Sequence, residues 1–214
     1  MEILQKLTLY DLLGYALPGG VLLMVYGQEN LDVLFDEGAK GWILLLLFGF
    51  LVGVAISEIM QWVERGLLKV RGKKQWLKLC EEYSLTAERM GQALKNARMI
   101  KVPETDANNI SLENCRDYQA AVYADIQTDP KYSRIHNYAS AALLYKNMVF
   151  VAVAAVVFFA WPAAEQMDMM EKILKILFAI LGGVCFFSRW MRFKKKKVGY
   201  ALCWFVDKYC GETK

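Results

Sequence analysis

Apolar residues in this chain are gathered into four long runs, and most of the charged residues lie between them. A helix needs about 20 apolar residues to cross about 30 Å of hydrocarbon, since each residue adds about 1.5 Å. The first run reaches this length once residues 7–10 are included. The fourth does so if Lys175 extends its ammonium group to the interface. The pattern therefore predicts four transmembrane helices, at residues 7–27, 41–63, 146–164 and 172–190.

The segment between the second and third runs, residues 64–145, predicts a small helical domain. Thr86 is placed to cap the helix ERMGQALKNARMI, and Ser111 is placed to cap LENCRDYQAAVYADI. The polar stretch VPETDANN between them predicts a loop. Asp129 followed by Pro130 predicts a further helix start, and from there no glycine or proline interrupts the chain until Pro162.

The last helix is predicted to continue past Arg192 into a basic tail, residues 191–214, with no break stronger than Gly199. The fold class that follows is an all-α membrane protein with four transmembrane helices. A small helical cytoplasmic domain is inserted between helices 2 and 3, and the C-terminal tail is basic and helical.

Composition agrees with this arrangement, because the chain is 56% hydrophobic and 22% charged over 214 residues, with a mean hydropathy of +0.22. Lysine and arginine are concentrated at residues 64–78 and 188–199, with six in each stretch. Basic flanks favour the cytoplasmic side, so we expect a multi-pass protein of the bacterial inner membrane with both termini inside. Four tryptophans fall near span ends, as interfacial aromatic residues do: Trp62, Trp76, Trp161 and Trp190.

The N-terminus has no basic start and no small-residue cleavage site, so we expect the first span to remain in the mature protein. The five cysteines are odd in number and form no CxxC pair, which predicts free thiols. The chain has one histidine, His136, and no metal-ligand spacing, glycine-rich phosphate loop or nucleophile motif. We therefore expect no enzyme activity, no bound metal and no cofactor.

Pro18, Gly19 and Gly20 interrupt the first apolar run, although all three residues weaken a helix. A structural interpretation is a packing kink, in which neighbouring helices satisfy the backbone groups that proline leaves unpaired. A functional interpretation is a hinge or a pore constriction, since glycine permits close approach of two backbones.

Glu58 is the acidic residue furthest inside a predicted span. It would line a pore or bind an ion if it faced a polar interior, because carboxylates within the membrane are costly. If the second span is shifted by a few residues, Glu58 lies instead at the level of the lipid headgroups.

The cytoplasmic cations also have two interpretations. They can anchor the helices to anionic lipid, at about 1 kcal/mol each. They can also track the phosphates of a nucleotide or single-stranded oligonucleotide, with Trp76, Tyr132 and Tyr200 offering faces for the bases. The candidate ligand-binding residues are Arg65, Lys73, Lys74, Lys131, Arg134, Tyr138, Arg192, Lys195 and Lys196.

Four spans are too few for one chain to enclose a wide polar path, so a transport function requires several copies around an axis. Gly49 and Gly53 form a GxxxG pattern that favours helix association, and a homo-oligomer, with a tetramer as the first choice, is expected.

The motif YDLLGYALPGG, with four spans, a cytoplasmic helical insertion and a basic tail, resembles small bacterial membrane effectors of antiphage defence. The nearest are the channel subunit of Hailong systems and, as second choice, the membrane subunit of Kiwa systems. The resemblance implies a channel or pore gated by a nucleotide or oligonucleotide on the cytoplasmic side.

Two other functions stay open. One is a non-conducting scaffold or sensor that recruits a cytoplasmic effector protein encoded in the same operon. The other is a small proton-coupled exporter, for which Glu58 is the plausible coupling acid.

Overall fold

The computed structural model of the protein describes residues 9–26, 39–99, 112–132, 134–161 and 168–211. Within these ranges every regular element is a helix, which confirms the all-α prediction for them. Two 3₁₀ turns, Arg116–Tyr118 and Pro130–Tyr132, lie among the α-helices. The α-helices are α1 (Leu9–Tyr26), α2 (Ala39–Glu82), α3 (Ala87–Asn96), α4 (Leu112–Cys115), α5 (Gln119–Gln127), α6 (Arg134–Ala160) and α7 (Met169–Cys210).

The chain forms two compact units. The first, which we call the apolar unit, comprises Met1–Arg65 and Ser140–Phe193. The second, which we call the insert unit, comprises Gly66–Ala139 and Lys194–Lys214. Helices α2, α6 and α7 each contribute residues to both units, so the prediction that the last helix continues into the basic tail is confirmed.

Two of the described helices are long and apolar enough to cross a membrane, Lys40–Gly66 in α2 and Arg134–Ala160 in α6. Leu13–Tyr26 in α1 is a shorter apolar helix. Only 33% and 28% of the most apolar stretches of the two long helices are buried in the chain. The core helix of a soluble protein would be mostly buried, so this exposure favours a membrane protein. The number of spans and their orientation stay predictions.

The surface of the apolar unit is rich in large apolar side chains. Phe178 is 71% exposed and Leu51 is 64% exposed. Its core is small and is formed by Ile56, Met60, Ala142, Val151 and Trp190. Trp62 and Trp161 are exposed, as expected of interfacial tryptophans, whereas Trp190 is buried in this core.

The insert unit buries its apolar side chains around the last helix. Phe205 and Leu202 of α7 pack in one cluster with residues from α3, α5 and α6, including Leu94, Ile126 and Ile135. Trp76 also lies in this cluster, and its Nε1 donates a hydrogen bond to the Leu112 carbonyl. Trp76 is therefore a core residue of the insert unit and does not lie at a span end as the sequence suggested.

Helix starts in the insert unit follow the sequence in part. Thr86 caps α3, because its hydroxyl accepts a hydrogen bond from the backbone N–H of Arg89 at 3.3 Å, and the predicted cap is confirmed. Ser111 and the predicted loop VPETDANN lie outside the described residues.

Two predicted helices differ in detail from the structure. The segment predicted as one helix from Leu112 is divided into α4, a 3₁₀ turn and α5. The Leu112 carbonyl bonds to Trp76 and so has a partner outside its own helix. The helix predicted from Pro130 begins as a 3₁₀ turn, in which a carboxylate oxygen of Asp129 accepts from the N–H of Lys131 at 3.0 Å, and α6 itself begins at Arg134.

Candidate functional sites: a buried proline and a cationic groove

The first candidate site is built around Pro18, which lies inside α1 and is fully buried. In an α-helix the N–H of residue 18 would bond to the carbonyl of residue 14, but proline has no N–H. The carbonyl of Gly14 is therefore freed. The side-chain amide of Asn147 on α6 donates a hydrogen bond to that oxygen, with 3.1 Å between Nδ2 and O. A side chain from another helix thus replaces the missing backbone donor.

The crossing of α1 and α2 beside Pro18 is made of main-chain atoms. A Cβ added to Gly19 would collide with the carbonyl oxygen of Gly49, and one added to Gly53 would collide with the carbonyl oxygen of Tyr15. A Cβ on Gly49 would lie only 2.9 Å from the backbone N of Gly20. Glycine is therefore required at positions 19, 49 and 53, because any side chain would push α1 away from α2. The GxxxG pattern of α2 packs against α1 of the same chain.

Gly20 behaves differently from these three glycines. A Cβ added to it would meet no atom within 4 Å. Its contribution to the crossing is its backbone, which passes close to Gly49. Of the sequence-predicted hinge residues, Gly19 has a contact that requires its residue type, Gly20 has none, and Pro18 is buried and frees the Gly14 carbonyl.

The apolar unit buries polar side chains as well. Among its described residues these are Ser57, Ser140, Lys146 and Asn147. Asn147 is fully buried and uses its amide nitrogen on Gly14, while its Oδ1 atom has no hydrogen-bond partner in the described part of the chain. Buried polar groups are normally paired, so this atom marks an unusual position inside an apolar bundle.

Glu58 lies on the exposed side of α2, next to Ile59, which is also exposed. It therefore does not belong to the buried polar set within a single chain. Both interpretations of Glu58, as a pore-lining residue and as a residue at the level of the headgroups, stay predictions.

The second candidate site is an open groove of about 390 Å³ in the insert unit. The floor comes from α7, and one side comes from the 3₁₀ turn Arg116–Tyr118 and the start of α5. Lys197 extends its ammonium group over the ring of Tyr123, at 4.2 Å from the ring centroid. The groove is lined by Arg116, Asp117, Gln119, Ala120, Tyr123, Lys197, Val198, Ala201 and Leu202.

Aromatic rings of the insert unit stack on one another. Tyr138 stacks on Tyr200 with ring centroids 5.2 Å apart, and Tyr200 stacks on Trp204 at 5.6 Å. Trp204 in turn stacks on Tyr132 at 5.3 Å. Tyr200 therefore stacks on two other rings. Tyr132, Tyr138 and Tyr200 were proposed from the sequence to stack on bases, and in the structure each stacks on another side chain of the insert unit.

A charged cluster lies near the C-terminus of α7. The ammonium of Lys208 is 3.0 Å from a carboxylate oxygen of Asp125 and 3.7 Å from one of Asp129. Burial alone would lower the pKa of Lys208, but the hydrogen bond and negative charge of Asp125 outweigh it, and the pKa is raised. Tyr209 donates to the other oxygen of Asp125 at 3.1 Å, and burial together with that charge raises the pKa of Tyr209.

The two buried cysteines of the insert unit are unsuited to reactive chemistry. Cys80 and Cys115 are buried. Burial, together with the neighbouring Cys115 and Glu81, raises the pKa of Cys80 to about 11. The pKa of Cys115 is also raised by burial. Both thiols are therefore protonated at neutral pH and act as apolar core groups.

The predicted ligand-binding residues are divided between the two units. Arg65 and Arg192 belong to the apolar unit, and Arg65 donates to the side chain of Gln61 at 3.5 Å. Lys73 and Lys74 lie in α2, but their side chains are outside the described part of the chain.

The remaining predicted cations belong to the insert unit. Lys131 lies over its neighbour Tyr132, with 5.4 Å to the ring centroid. Lys195 pairs weakly with Glu82 at 3.9 Å. Arg134 is exposed and Lys196 is half-buried. None of these four residues lines the groove.

Sequence reasoning missed Asn147, Arg116, Tyr123 and Lys197 as site residues. The i to i+4 rule locates the freed carbonyl at Gly14, yet it does not identify the donor. Lys197 stands in a run of four lysines. Only its spacing of one helical turn from Ala201 indicates which side of α7 it shares with the apolar floor of the groove.

No model of a protein family matches the chain, and no match was found among curated proteins or solved structures.

Proposed function

We propose that the chain is the subunit of a homo-oligomeric channel or pore in the bacterial inner membrane, acting as an effector of antiphage defence. A nucleotide or oligonucleotide bound on the cytoplasmic side would gate it. The observation that carries the proposal is the hydrogen bond from the fully buried Asn147 to the carbonyl that Pro18 frees in α1, in a unit that also buries Lys146 and whose surface is apolar. Ionisable residues buried among membrane helices commonly mark ion pathways, and proline allows a helix to bend.

The proposed arrangement has four spans, with both termini, the insert unit and the lysine-rich tail in the cytoplasm. Several copies, with four as the first choice, surround the path, because one chain has too few spans to enclose it. Lipid surrounds the exposed apolar side chains of α2 and α7, such as Leu51 and Phe178. Since α7 is a single helix from Met169 to Cys210, ligand binding near its C-terminal half would be coupled to its apolar half.

The test is ion flux through liposomes that contain the purified full-length protein, with and without nucleotides or short oligonucleotides on the cytoplasmic side. Wild-type protein is expected to conduct in one of these conditions. Asn147→Leu is expected to change the flux, since it removes the donor to the Gly14 carbonyl. Asn137→Leu, a substitution of the same type at an exposed position of α6, serves as the control.

Liposomes that never conduct, with any of these ligands, would contradict a channel. Equal flux from the wild type and Asn147→Leu would remove this hydrogen bond from the gating mechanism. Replacing Glu58 by glutamine in the same assay tests its pore-lining interpretation, for which altered cation selectivity is the expected result.

A second function is favoured by one specific observation. The buried polar residues and the glycine crossing are packed within one chain and are not on its exposed side. A non-conducting scaffold that recruits a cytoplasmic protein through the insert unit would need no more than this. Isolation of one stoichiometric soluble partner from cells, together with silent liposomes, would favour this function.

A further inference from the structure

The groove of the insert unit has the composition of a ligand site. Its volume, about 390 Å³, lies within the range of small-molecule pockets. Its floor is apolar, because Val198, Ala201 and Leu202 all come from one side of α7, at the spacing of one helical turn. Polar groups stand at its edges, as in sites where an apolar surface gives affinity and a few polar atoms give orientation.

Cations outnumber acids around this groove. Arg116 and Lys197 contribute positive charge, and Asp117 is the one acid among the lining residues. Arg116 is half-exposed and makes no ion pair in the described part of the chain. A guanidinium group with free N–H donors can bind two oxygens of a phosphate at once.

Lys197 is held in position by an aromatic ring. Its ammonium lies over Tyr123, so a cation–π contact reduces the number of conformations it can adopt. Preorganised cations bind an anion with less loss of side-chain entropy. The ring edge of Tyr123, the floor of α7 and the side chains of Asp117 and Gln119 also suit a planar, hydrogen-bonding group attached to the anion.

We propose that this groove binds a phosphate monoester carried on a planar ring system, with Arg116 and Lys197 holding the phosphate and the floor of α7 supporting the ring. A nucleotide has this chemistry. The inference rests on the proposed function in that it gives the gating ligand a class and a site, but it is tested by binding alone. The same monoester group also occurs on the lipid phosphatidic acid, and the experiment separates the two sources.

Adenosine monophosphate is the probe for a titration of the full-length protein in detergent, followed by calorimetry and by the thermal midpoint of unfolding. The wild type is expected to bind it and to gain thermal stability. Arg116→Ala and Lys197→Ala are each expected to weaken binding by about tenfold or more, as loss of one charge-assisted contact does. The matched control is Lys195→Ala, two residues from Lys197 on the same helix but outside the groove, and it should bind within about twofold of the wild type.

Adenosine without phosphate should bind far more weakly than the monophosphate. Hydrogen exchange of α5 and α7 in each variant shows whether the insert unit remains folded, and Lys197→Arg, which keeps the charge, should retain most of the affinity. The proposal is overturned if neither adenosine monophosphate nor inorganic phosphate binds at about 10 mM. It is also overturned if Lys195→Ala weakens binding as much as Lys197→Ala does.

A second arm adds vesicles of defined lipid. Displacement of the nucleotide by phosphatidic acid vesicles, lost in Arg116→Ala, supports the site and assigns its ligand to the membrane surface. Displacement by phosphatidylglycerol vesicles of equal charge overturns the monoester assignment, because that lipid is a diester. A protein that binds the nucleotide through Arg116 but never conducts ions contradicts the channel and leaves this site intact.

Discussion

The apolar unit and the insert unit both have an apolar core, but they differ in which large side chains they leave exposed. The insert unit encloses large apolar side chains such as Phe205 and Leu202, and its lysines and carboxylates lie nearer the surface. The apolar unit leaves Leu51 and Phe178 exposed and buries glycine backbone and the amide of Asn147. Water drives apolar side chains inward, whereas lipid does not, so helices in lipid associate through close backbone packing and polar contacts. The exposed apolar side chains of the apolar unit are typical of helices in lipid, whereas the burial pattern of the insert unit is typical of a domain in water.

The largest effect is expected from Gly53→Leu, which would break the packing rule of the apolar unit. The new side chain meets the backbone of Tyr15, and main-chain atoms cannot change rotamer to make space. We expect a loss of stability above the roughly 1–3 kcal/mol typical of overpacking, with rapid hydrogen exchange in α1. Gly66→Leu on the same helix is the control, because an added Cβ there meets no atom within 4 Å. Equal loss in both variants would refute the backbone crossing.

A pair of phenylalanine substitutions compares the two units directly. Phe205→Ala opens a cavity in the fully buried core of the insert unit and should cost about 3–5 kcal/mol. Phe178→Ala in the apolar unit removes a side chain that is already 71% exposed and should cost far less in detergent. Thermal unfolding, with hydrogen exchange resolved for each unit, measures both. Similar losses would mean that the two units share one kind of core.

The hydrogen bond between Asn147 and Gly14 is tested by a double-mutant cycle. Asn147→Leu leaves the Gly14 carbonyl without its donor and should cost about 1–3 kcal/mol. Pro18→Ala restores an N–H at position 18, so the Gly14 carbonyl regains a backbone partner. In that background the cost of Asn147→Leu should be smaller by about 0.5 kcal/mol or more. Additive effects of the two substitutions would disprove the exchange of one donor for the other.

The smallest effect is a pH dependence of the insert unit. Folding raises the pKa of Lys208 and of Tyr209. Each group therefore holds its proton more tightly in the folded state, and its contribution is complete below the unfolded pKa, about 10.4 for lysine and about 10 for tyrosine. Stability should fall as pH rises from these values through the folded pKa values. Asp125→Asn should reduce this loss of unfolding free energy by about 1 kcal/mol or less. The loss is measured from urea unfolding curves at pH 9 and about 11. An unchanged slope would argue against the cluster.

The sequence predicted elements whose signals are local. Thr86 caps α3 with its own hydroxyl, and the absence of a strong breaker around Gly199 allows α7 to continue. The Pro18 position also identified the carbonyl that would lack a partner. These outcomes depend on residues within one or two helical turns of each other, so a linear pattern contains them.

Contacts between distant segments could not be read in the same way. Asn147 reaches Gly14 over 133 residues of sequence, and Lys197 meets Tyr123 from another helix. Both depend on how helices rotate about their axes, and a run of four lysines or a continuous apolar stretch leaves that rotation undetermined. Tyr138 and Tyr200 are another example, because the sequence offers both rings as surfaces for bases and does not indicate that they stack on each other.

The crossing of α1 and α2 at Gly19, Gly49 and Gly53 has a thermodynamic consequence. Glycine has no χ angles, so bringing these positions together immobilises no side-chain rotors, whereas ordering a long side chain takes up to about 2 kcal/mol of entropy. Separation of the two helices at this point on heating therefore releases little side-chain entropy.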